Sequence, residues 1–269
     1  MKGLIMQIIG ELINASRKKI REDIQEQNAE HIIQVAKDQH EAGADFIDVN
    51  AGIFVGKEEQ YVKWLVETVQ GAVDTPLCID SPDPKVIEGA LKLHKGVPII
   101  NSISLESDRY ENLLPIVRDN DVKVIALCMS DEGMPYTKDA RLKIADKLIN
   151  NLVKNNVPIG NIYVDPLVHP IGSGDTLGME ALNSIEAIMK EYEGVHTACG
   201  LSNISYGIPK RQFVNQVFMN MAIAKGLDSA IMNPLDKKMM ANIIAAEMLA
   251  GKDEYCANYM GAYRDGLLE

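Results

Sequence analysis

Eight short apolar runs that alternate with helical stretches constrain the fold of this 269-residue chain more than any other feature. Alternating strand and helix is typical of parallel strands joined by helical crossovers. Eight such units predict a closed (β/α)8 TIM barrel, an α/β fold in which no strand is left at an edge. The runs are residues 6–9, 46–49, 77–79, 98–100, 124–129, 162–164, 195–201 and 230–232.

Helix signals lie between the runs. After the first run, apolar residues recur at three- and four-residue spacing as far as Gly43, which is placed to end that helix. Asp83 before Pro84 is typical of a helix start, and Asp236 is placed to cap the last helix. The glycine-rich stretch 168–179 follows the sixth run, and we expect it to be a mobile rim or lid.

A polar or ionisable side chain follows each run. The carboxyl ends of the strands form the mouth of a TIM barrel, where its chemistry takes place. Asp and Asn also suit turns and helix caps, and this alternative stands for any single member. Four of them directly end strands three, four, six and seven and are predicted to point over the mouth. The whole set is Glu11, Asn14, Asp48, Asn50, Asp80, Asn101, Ser130, Asp165, Ser202, Asn203 and Asn233.

The composition fits one soluble domain over residues 1–269, with no linker or change of composition. A net charge of −11 without a basic stripe argues against nucleic acid as a partner. No apolar run approaches the ~18 residues of a membrane span, and the start lacks the long apolar region of a signal peptide, so we expect a cytoplasmic protein. The widely spaced Cys78, Cys128, Cys199 and Cys256 predict free thiols, three of them buried in strands.

A mouth rich in Asp and Asn and poor in Lys, Arg and His limits the ligand. It lacks the glycine-rich phosphate loop and the basic residues that phosphates favour. His169 is the only plausible metal ligand and has no partners, so no metal site is expected. A planar heterocycle with N–H donors suits the mouth better, because a carboxylate can accept two parallel hydrogen bonds from the 2-amino and N3–H groups of a pterin.

Six ordered segments resemble a known family. They are residues 9–14, 47–50, 78–81, 100–102, 163–167 and 200–205, with sequences IGELIN, IDVN, CIDS, INS, YVDPL and GLSNIS. Together they look like the pterin-binding barrel family, and within it like methyltetrahydrofolate:corrinoid protein methyltransferases. The folate-binding module of cobalamin-dependent methionine synthase is a close relative. The likeness runs nearly the whole chain, as far as residues 226–231.

The resemblance implies a role for each matching residue. Asp80, Asn101 and Asp165 would hold the pterin ring, and Asn203 would lie beside N5, the nitrogen that carries the methyl group. Lining positions around the pocket would be Gly200, Ser202 and Ile231, with Glu11, Asp48 and Asn50 beneath or beside it.

The resemblance also implies an activity and partners. The enzyme would move a methyl group between N5 of methyltetrahydrofolate or tetrahydrofolate and the cobalt of a corrinoid (cobalamin), with no metal bound to this chain. A separate protein would bring the corrinoid, and relatives are homodimers. The chain departs from the acetogenic form of the enzyme at Tyr206, where that form has Gln, and at Leu12, where it has Arg.

Asn203 and Asp165 are the candidate catalytic residues. The amide of Asn203 cannot ionise near neutral pH, but it can donate a hydrogen bond that strengthens as charge changes on N5. Asp165 could tune that network. Two alternatives stay open: a pterin transferase like dihydropteroate synthase, which the lack of a phosphate cradle disfavours, and a folate-binding protein without catalysis.

Overall fold

The computed structural model describes residues 6–268 and contains a barrel of eight parallel strands. In the sheet each strand lies beside its neighbours in sequence, and β1 also pairs with β8. Between β7 and β8 the barrel is closed by the bridge from Gly200 to Ile231, where Ile231 N donates to Cys199 O at 2.9 Å. The strands are β1 Gln7–Asn14, β2 Phe46–Asn50, β3 Leu77–Asp80, β4 Ile99–Leu105, β5 Lys123–Ser130, β6 Ile162–Asp165, β7 His196–Thr197 and β8 Ser229–Met232. The predicted TIM barrel is confirmed.

The α-helices of the described residues surround the barrel. Their bounds are α1 Lys18–Glu26, α2 Ala29–Glu41, α3 Glu58–Gln70, α4 Pro84–Leu91, α5 Ser107–Asp119, α6 Lys138–Lys154, α7 Leu177–Glu191, α8 Arg211–Ala224, α9 Lys237–Leu249 and α10 Ala257–Arg264. Both predicted N-caps are confirmed, because Asp83 accepts from Lys85 N at 2.9 Å and Asp236 accepts from Met239 N at 3.0 Å. Within residues 6–268, no helix combines the length and the apolar character that crossing a bilayer requires.

One side chain from each strand or its end fills the barrel interior. These residues form a single apolar layer that closes the floor beneath the mouth. They are Ile9, Phe46, Cys78, Ile99, Ile125, Tyr163, Ala198 and the partly buried Ile231. Because side chains alternate along a strand, the residue two positions further along each strand also points inward, one layer higher.

The structure differs from the sequence-based expectation at the seventh strand. The apolar run 195–201 predicts a long strand, but β7 has only two residues and Leu201–Ser205 is a 3-10 helix. Asn203 N donates to Gly200 O at 3.2 Å, so the chain turns back on itself just after Gly200. An apolar run does not distinguish a strand from a buried turn.

Two further differences concern the first and fourth strands. β1 continues past its apolar run to Asn14 through an irregularity between Gly10 and Ile13, so Glu11 lies inside the strand. β4 likewise continues past Asn101. The short α1 was not predicted; it is anchored by buried Asp23, which accepts from Lys19 and Asn28 and pairs with His31.

Candidate active site

A polar layer lies directly above the apolar floor at the carboxyl ends of the strands. The strand register places Asn50 beside Asp80 and Asp80 beside Asn101. Across the barrel, Asp165 lies beside Leu127 of β5. Asp80, Asn101 and Asp165 each lie two residues beyond a floor residue. Asn50 lies four residues beyond Phe46, so alternation along the strands aims all four side chains into the mouth.

Hydrogen bonds join four polar side chains of the mouth in two pairs. Asn50 Nδ2 donates to Asp80 Oδ2 at 2.8 Å, and Asn50 Oδ1 accepts from Gly52 N at 3.1 Å. One layer lower, Asn101 Nδ2 donates to Asp48 Oδ1 at 3.5 Å. The Asn50 amide is thus held at both ends.

Burial perturbs the two carboxyl groups of this cluster. Desolvation raises the pKa of fully buried Asp48 well above its ordinary value, and the nearby charge of Asp80 adds to the effect. Desolvation also raises the pKa of Asp80, but the hydrogen bond from Asn50 and the charge of Arg109 oppose it. The proton therefore favours Asp48, and Asp80 is the carboxylate that presents a negative charge to the mouth.

Asp165 is the third carboxyl group of the layer and is buried. Desolvation raises its pKa to about 6, against the opposing hydrogen bonds from the backbone N–H groups of Leu167 and Gly200 and the charge of Arg141. The Leu167 N–H lies 2.7 Å from Asp165 Oδ1. A carboxyl group with this pKa changes charge close to neutral pH.

Asn203 lies at the rim, exposed to solvent, in the 3-10 helix that follows Gly200. A Cβ atom on residue 200 would lie 3.0 Å from Asn203 Nδ2, so glycine at this position gives the amide its space. Asn203 is the third residue of this helix, whose N-cap position is Gly200. The structure thus brings Gly200, Asp165 and Asn203 to one side of the mouth.

Glu11 of β1 and Ser202 of the 3-10 helix after β7 lie close together at the mouth. They line a small cavity of about 50 Å³ together with Asn215 and Asn233. Glu11 forms a salt bridge with Arg17 at 3.1 Å, and Arg211 Nη2 donates to Ser202 O at 2.6 Å. Desolvation raises the pKa of Glu11, opposed by both arginines.

A larger cavity of about 600 Å³ opens beside Asp80 and Asn101. Its walls include Leu127 and Met129 of β5, which supply an apolar face, and Arg109 of α5. A volume of this size accommodates a small-molecule ligand.

The prediction of a mouth poor in arginine is wrong. Arg109 lines the large cavity, Arg141 lies beneath the segment after β6, and Arg17 and Arg211 flank Glu11. Arg109 and Arg141 stand on helices and reach the segments after β3 and β6, which lie 25 to 28 residues away in sequence. No spacing signal in the sequence marks them.

Three other members of the strand-end set serve turns, as the alternative allowed. Asn14 Oδ1 accepts from Ser16 N at 2.9 Å, and Asn233 Oδ1 accepts from Leu235 N at 3.0 Å. Ser130 closes a turn with Gly133.

His169 is buried, hydrogen-bonds Pro135 O through Nε2 at 2.8 Å and stacks on Tyr136. No group of three or more metal-ligating side chains occurs among residues 6–268; the absence of a metal stays a prediction.

Comparisons with known proteins agree with this architecture. The model of the pterin binding enzyme family matches residues 10–233. Dihydropteroate synthase structures superpose on the fold, including that of Coxiella burnetii with pteroic acid (TM-score 0.73, 16% identity, 94% of this chain and 95% of that chain) and that of Yersinia pestis with a pterine-sulfa conjugate (TM-score 0.71, 18% identity, 91% and 94%). At these identities the likeness concerns the fold alone.

The chain belongs to the pterin binding enzyme family. It is 36% identical to the methylcorrinoid:tetrahydrofolate methyltransferase of Eubacterium limosum over 263 residues, which are 97% of each chain. It is 30% identical over 240 residues to the methionine synthase of Mycobacterium tuberculosis, covering 84% of this chain and 20% of that enzyme. The prediction of a methyltransferase of this family is confirmed by the full-length relative.

Proposed function

We propose that the chain transfers a methyl group between N5 of tetrahydrofolate and the cobalt of a corrinoid carried on a partner protein. The polar layer of Asn50, Asp80, Asn101 and Asp165 is the observation that carries this proposal. It offers two carboxyl groups and oriented amides to one flat ligand, above an apolar floor. This combination suits the donor edge and the carbonyl of a pterin ring.

The charge state of the layer supports an assignment of roles. Asp80, held by Asn50 and near Arg109, accepts from the 2-amino and N3–H groups of the pterin. Asn101 supplies both a donor and an acceptor to the ring. Asp48 lies below them, where its protonated form keeps a second negative charge away from Asp80.

Asn203 acts at the other end of the ring. Its exposed amide can donate to N5 while the methyl group faces solvent, open to in-line approach by a corrinoid. In one direction cobalt(I) attacks the methyl carbon, the bond from carbon to N5 breaks, and its electron pair returns to N5, which takes up a proton from water. A hydrogen bond to N5 stabilises that change of charge. The pocket around N5 is lined by Gly200, Ser202 and Ile231, and Glu11 lies beyond them.

A spectroscopic assay tests the proposal in both directions. The protein is mixed with methyltetrahydrofolate and cobalt(I) cobalamin, and separately with tetrahydrofolate and methylcobalamin, while cobalt absorbance is followed. Methyl transfer in both mixtures supports the proposal. Folate binding without any transfer supports a binding protein instead. Product formation only from a dihydropterin pyrophosphate and p-aminobenzoate supports the dihydropteroate synthase alternative.

Two further elements belong to the same proposal. The protein acts in the cytoplasm, and it forms a homodimer through an apolar face on α8. Phe213, Val217 and Met221 recur there at four-residue spacing and are 62%, 59% and 41% exposed. They line an apolar groove of about 420 Å³ together with residues of α7. Isologous dimers bury a self-complementary apolar patch of this kind.

Light scattering tests the dimer. The wild-type protein is expected at twice the 29.6 kDa of the chain, and Val217→Lys at the monomer mass. Val153→Lys, which makes the same change at an exposed residue of α6, is the control. A monomeric wild type contradicts the dimer without touching the proposed methyl transfer.

A further inference from the structure

Arg141 is the largest fully buried side chain of the described residues. It projects from the first turns of α6 and donates three hydrogen bonds, all to backbone carbonyl groups. Nε donates to Pro166 O at 2.6 Å, Nη2 to Leu167 O at 3.2 Å and Nη1 to Tyr136 O at 3.0 Å. It forms no salt bridge within residues 6–268.

The carbonyl groups held by Arg141 belong to the two residues that directly follow Asp165. Leu167 has a φ of +63°, a left-handed conformation that side chains other than glycine rarely adopt. The same Leu167 donates its N–H to Asp165 Oδ1 at 2.7 Å. Arg141 and Asp165 therefore hold opposite sides of one strained turn, and the turn sets the position of the carboxyl group.

A second arginine is placed in the same way. Arg109 donates to the carbonyl groups of Ser81 and Pro82, the two residues after Asp80, at 3.1 and 2.8 Å. Two carboxyl groups of the polar layer are thus followed by segments that a guanidinium group holds through its planar set of donors. Lysine cannot reproduce this planar set.

We propose that Arg141 is a positioning residue, which holds the turn after β6 so that Asp165 stays aimed at the pterin and ionised when the substrate binds. The inference rests on the proposed function for its ligand. Burying a guanidinium group without a carboxylate partner is costly, and an apolar side chain of similar length would fill the same space. Unlike an apolar side chain, Arg141 holds the turn through hydrogen bonds and places a positive charge near Asp165.

The groups that face Asp165 come from three sides. Cys128 lies on β5, Cys199 follows β7, and Arg141 comes from α6, with Glu180 of α7 facing Arg141. Burial keeps both thiols protonated by raising their pKa values. Arg141 is consequently the charged group that favours the ionised form of Asp165.

The experiment compares Arg141→Met and Arg141→Lys with the wild type. Carbon-13 NMR follows the titration of the Asp165 carboxyl group in ligand-free protein, with Asp165→Asn identifying the signal. In Arg141→Met we expect the midpoint to rise by about one pH unit, which is typical of losing a nearby opposite charge. Methyltetrahydrofolate affinity at pH 6.5 is expected to fall about threefold for that change, because the ionised fraction of Asp165 drops from about three quarters to about one quarter. Arg141→Lys restores the midpoint but not the affinity, because it keeps the charge without the planar donors.

Leu148→Ala is the matched control, because Leu148 is a buried apolar residue of the same helix. It should lower the melting temperature while leaving the Asp165 midpoint and the folate affinity unchanged. An unchanged midpoint and affinity in Arg141→Met overturn the inference. If that variant does not fold, Arg141→Lys with wild-type affinity overturns it. If the wild-type protein binds no folate, the proposed function is wrong. The role of Arg141 is then decided separately, by comparing the midpoint of the Asp165 titration between Arg141→Met and the wild type without ligand.

Discussion

At the scale of single residues, we expect binding of a pterin to depend most on Asp80. Its carboxylate accepts from Asn50 at 2.8 Å and faces the large cavity. We expect Asp80→Ala to lose a charged hydrogen-bond partner, worth about 1.5–3 kcal/mol, and so to weaken folate binding more than tenfold. Fluorescence titration measures the change. Asp119→Ala removes an exposed carboxylate at the end of α5 and should bind normally; equal affinities of the two variants would refute the assignment.

Asn203 is expected to act on the rate rather than on affinity. Its side chain is exposed and Gly200 occupies the N-cap position of the 3-10 helix, so Asn203→Ala should leave the melting temperature unchanged. Loss of one preorganised donor typically costs about 10²–10³ in rate. Single-turnover rates at saturating folate, measured beside the dissociation constant, separate the two effects. A normal single-turnover rate would remove Asn203 from the mechanism.

We expect Asp165 to make folate binding depend on pH. Because burial raises its pKa to about 6, the carboxylate is ionised above that pH and becomes protonated below it. We expect wild-type affinity to fall by about tenfold per pH unit below pH 6. Asp165→Asn should bind folate weakly and should not show this fall in affinity below pH 6. The ligand titrates identically in both experiments, so parallel pH profiles for the two proteins would exclude Asp165 from binding.

At the scale of elements, a close approach of α2 to β1 holds the first strand beside the mouth. Gln39 is buried and its Oε1 accepts from Leu12 N at 3.0 Å, just beyond Gly10. A Cβ atom on residue 10 would overlap the Gln39 carboxamide. We expect Gly10→Ala to break this hydrogen bond and cost about 1–3 kcal/mol of unfolding free energy.

Thermal and denaturant unfolding measure that cost. Gly261→Ala is the matched control, because its Cβ would meet only Arg264 Nη2 at 3.9 Å inside α10. Alanine favours a helix over glycine by about 1 kcal/mol, so the control should keep or raise the stability. Equal effects of the two substitutions would show that the contact with Gln39 contributes nothing to the free energy of unfolding.

The strand order and the meeting of Asp80, Asn101 and Asp165 follow from a periodicity that the sequence displays. Side chains of a strand alternate, and polar residues two positions beyond floor residues such as Cys78 and Ile99 must face the mouth. The turn after Gly200 was not predictable in this way, because its apolar residues suit both a strand and a buried 3-10 helix. Whether the glycine-rich stretch 168–179 acts as a lid stays a prediction.

At the scale of the whole molecule, the contacts that sequence patterns miss are those between a side chain and a distant backbone. Arg109 and Arg141 reach carbonyl groups 25 to 28 residues away, and such pairs leave no periodic trace. The resulting site joins an acidic polar layer to arginines placed behind it. The negative charge of the mouth is thus balanced locally, although the chain carries a net charge of −11.

The most direct test of the central claim is a crystal structure of the protein with methyltetrahydrofolate. We expect the pterin ring above the apolar floor, with its 2-amino and N3–H groups donating to Asp80. Asn101 and Asp165 should lie within hydrogen-bond distance of the ring, and the N5 methyl group should face solvent beside Asn203. A pterin bound outside the mouth, or with N5 buried against the floor, would contradict it.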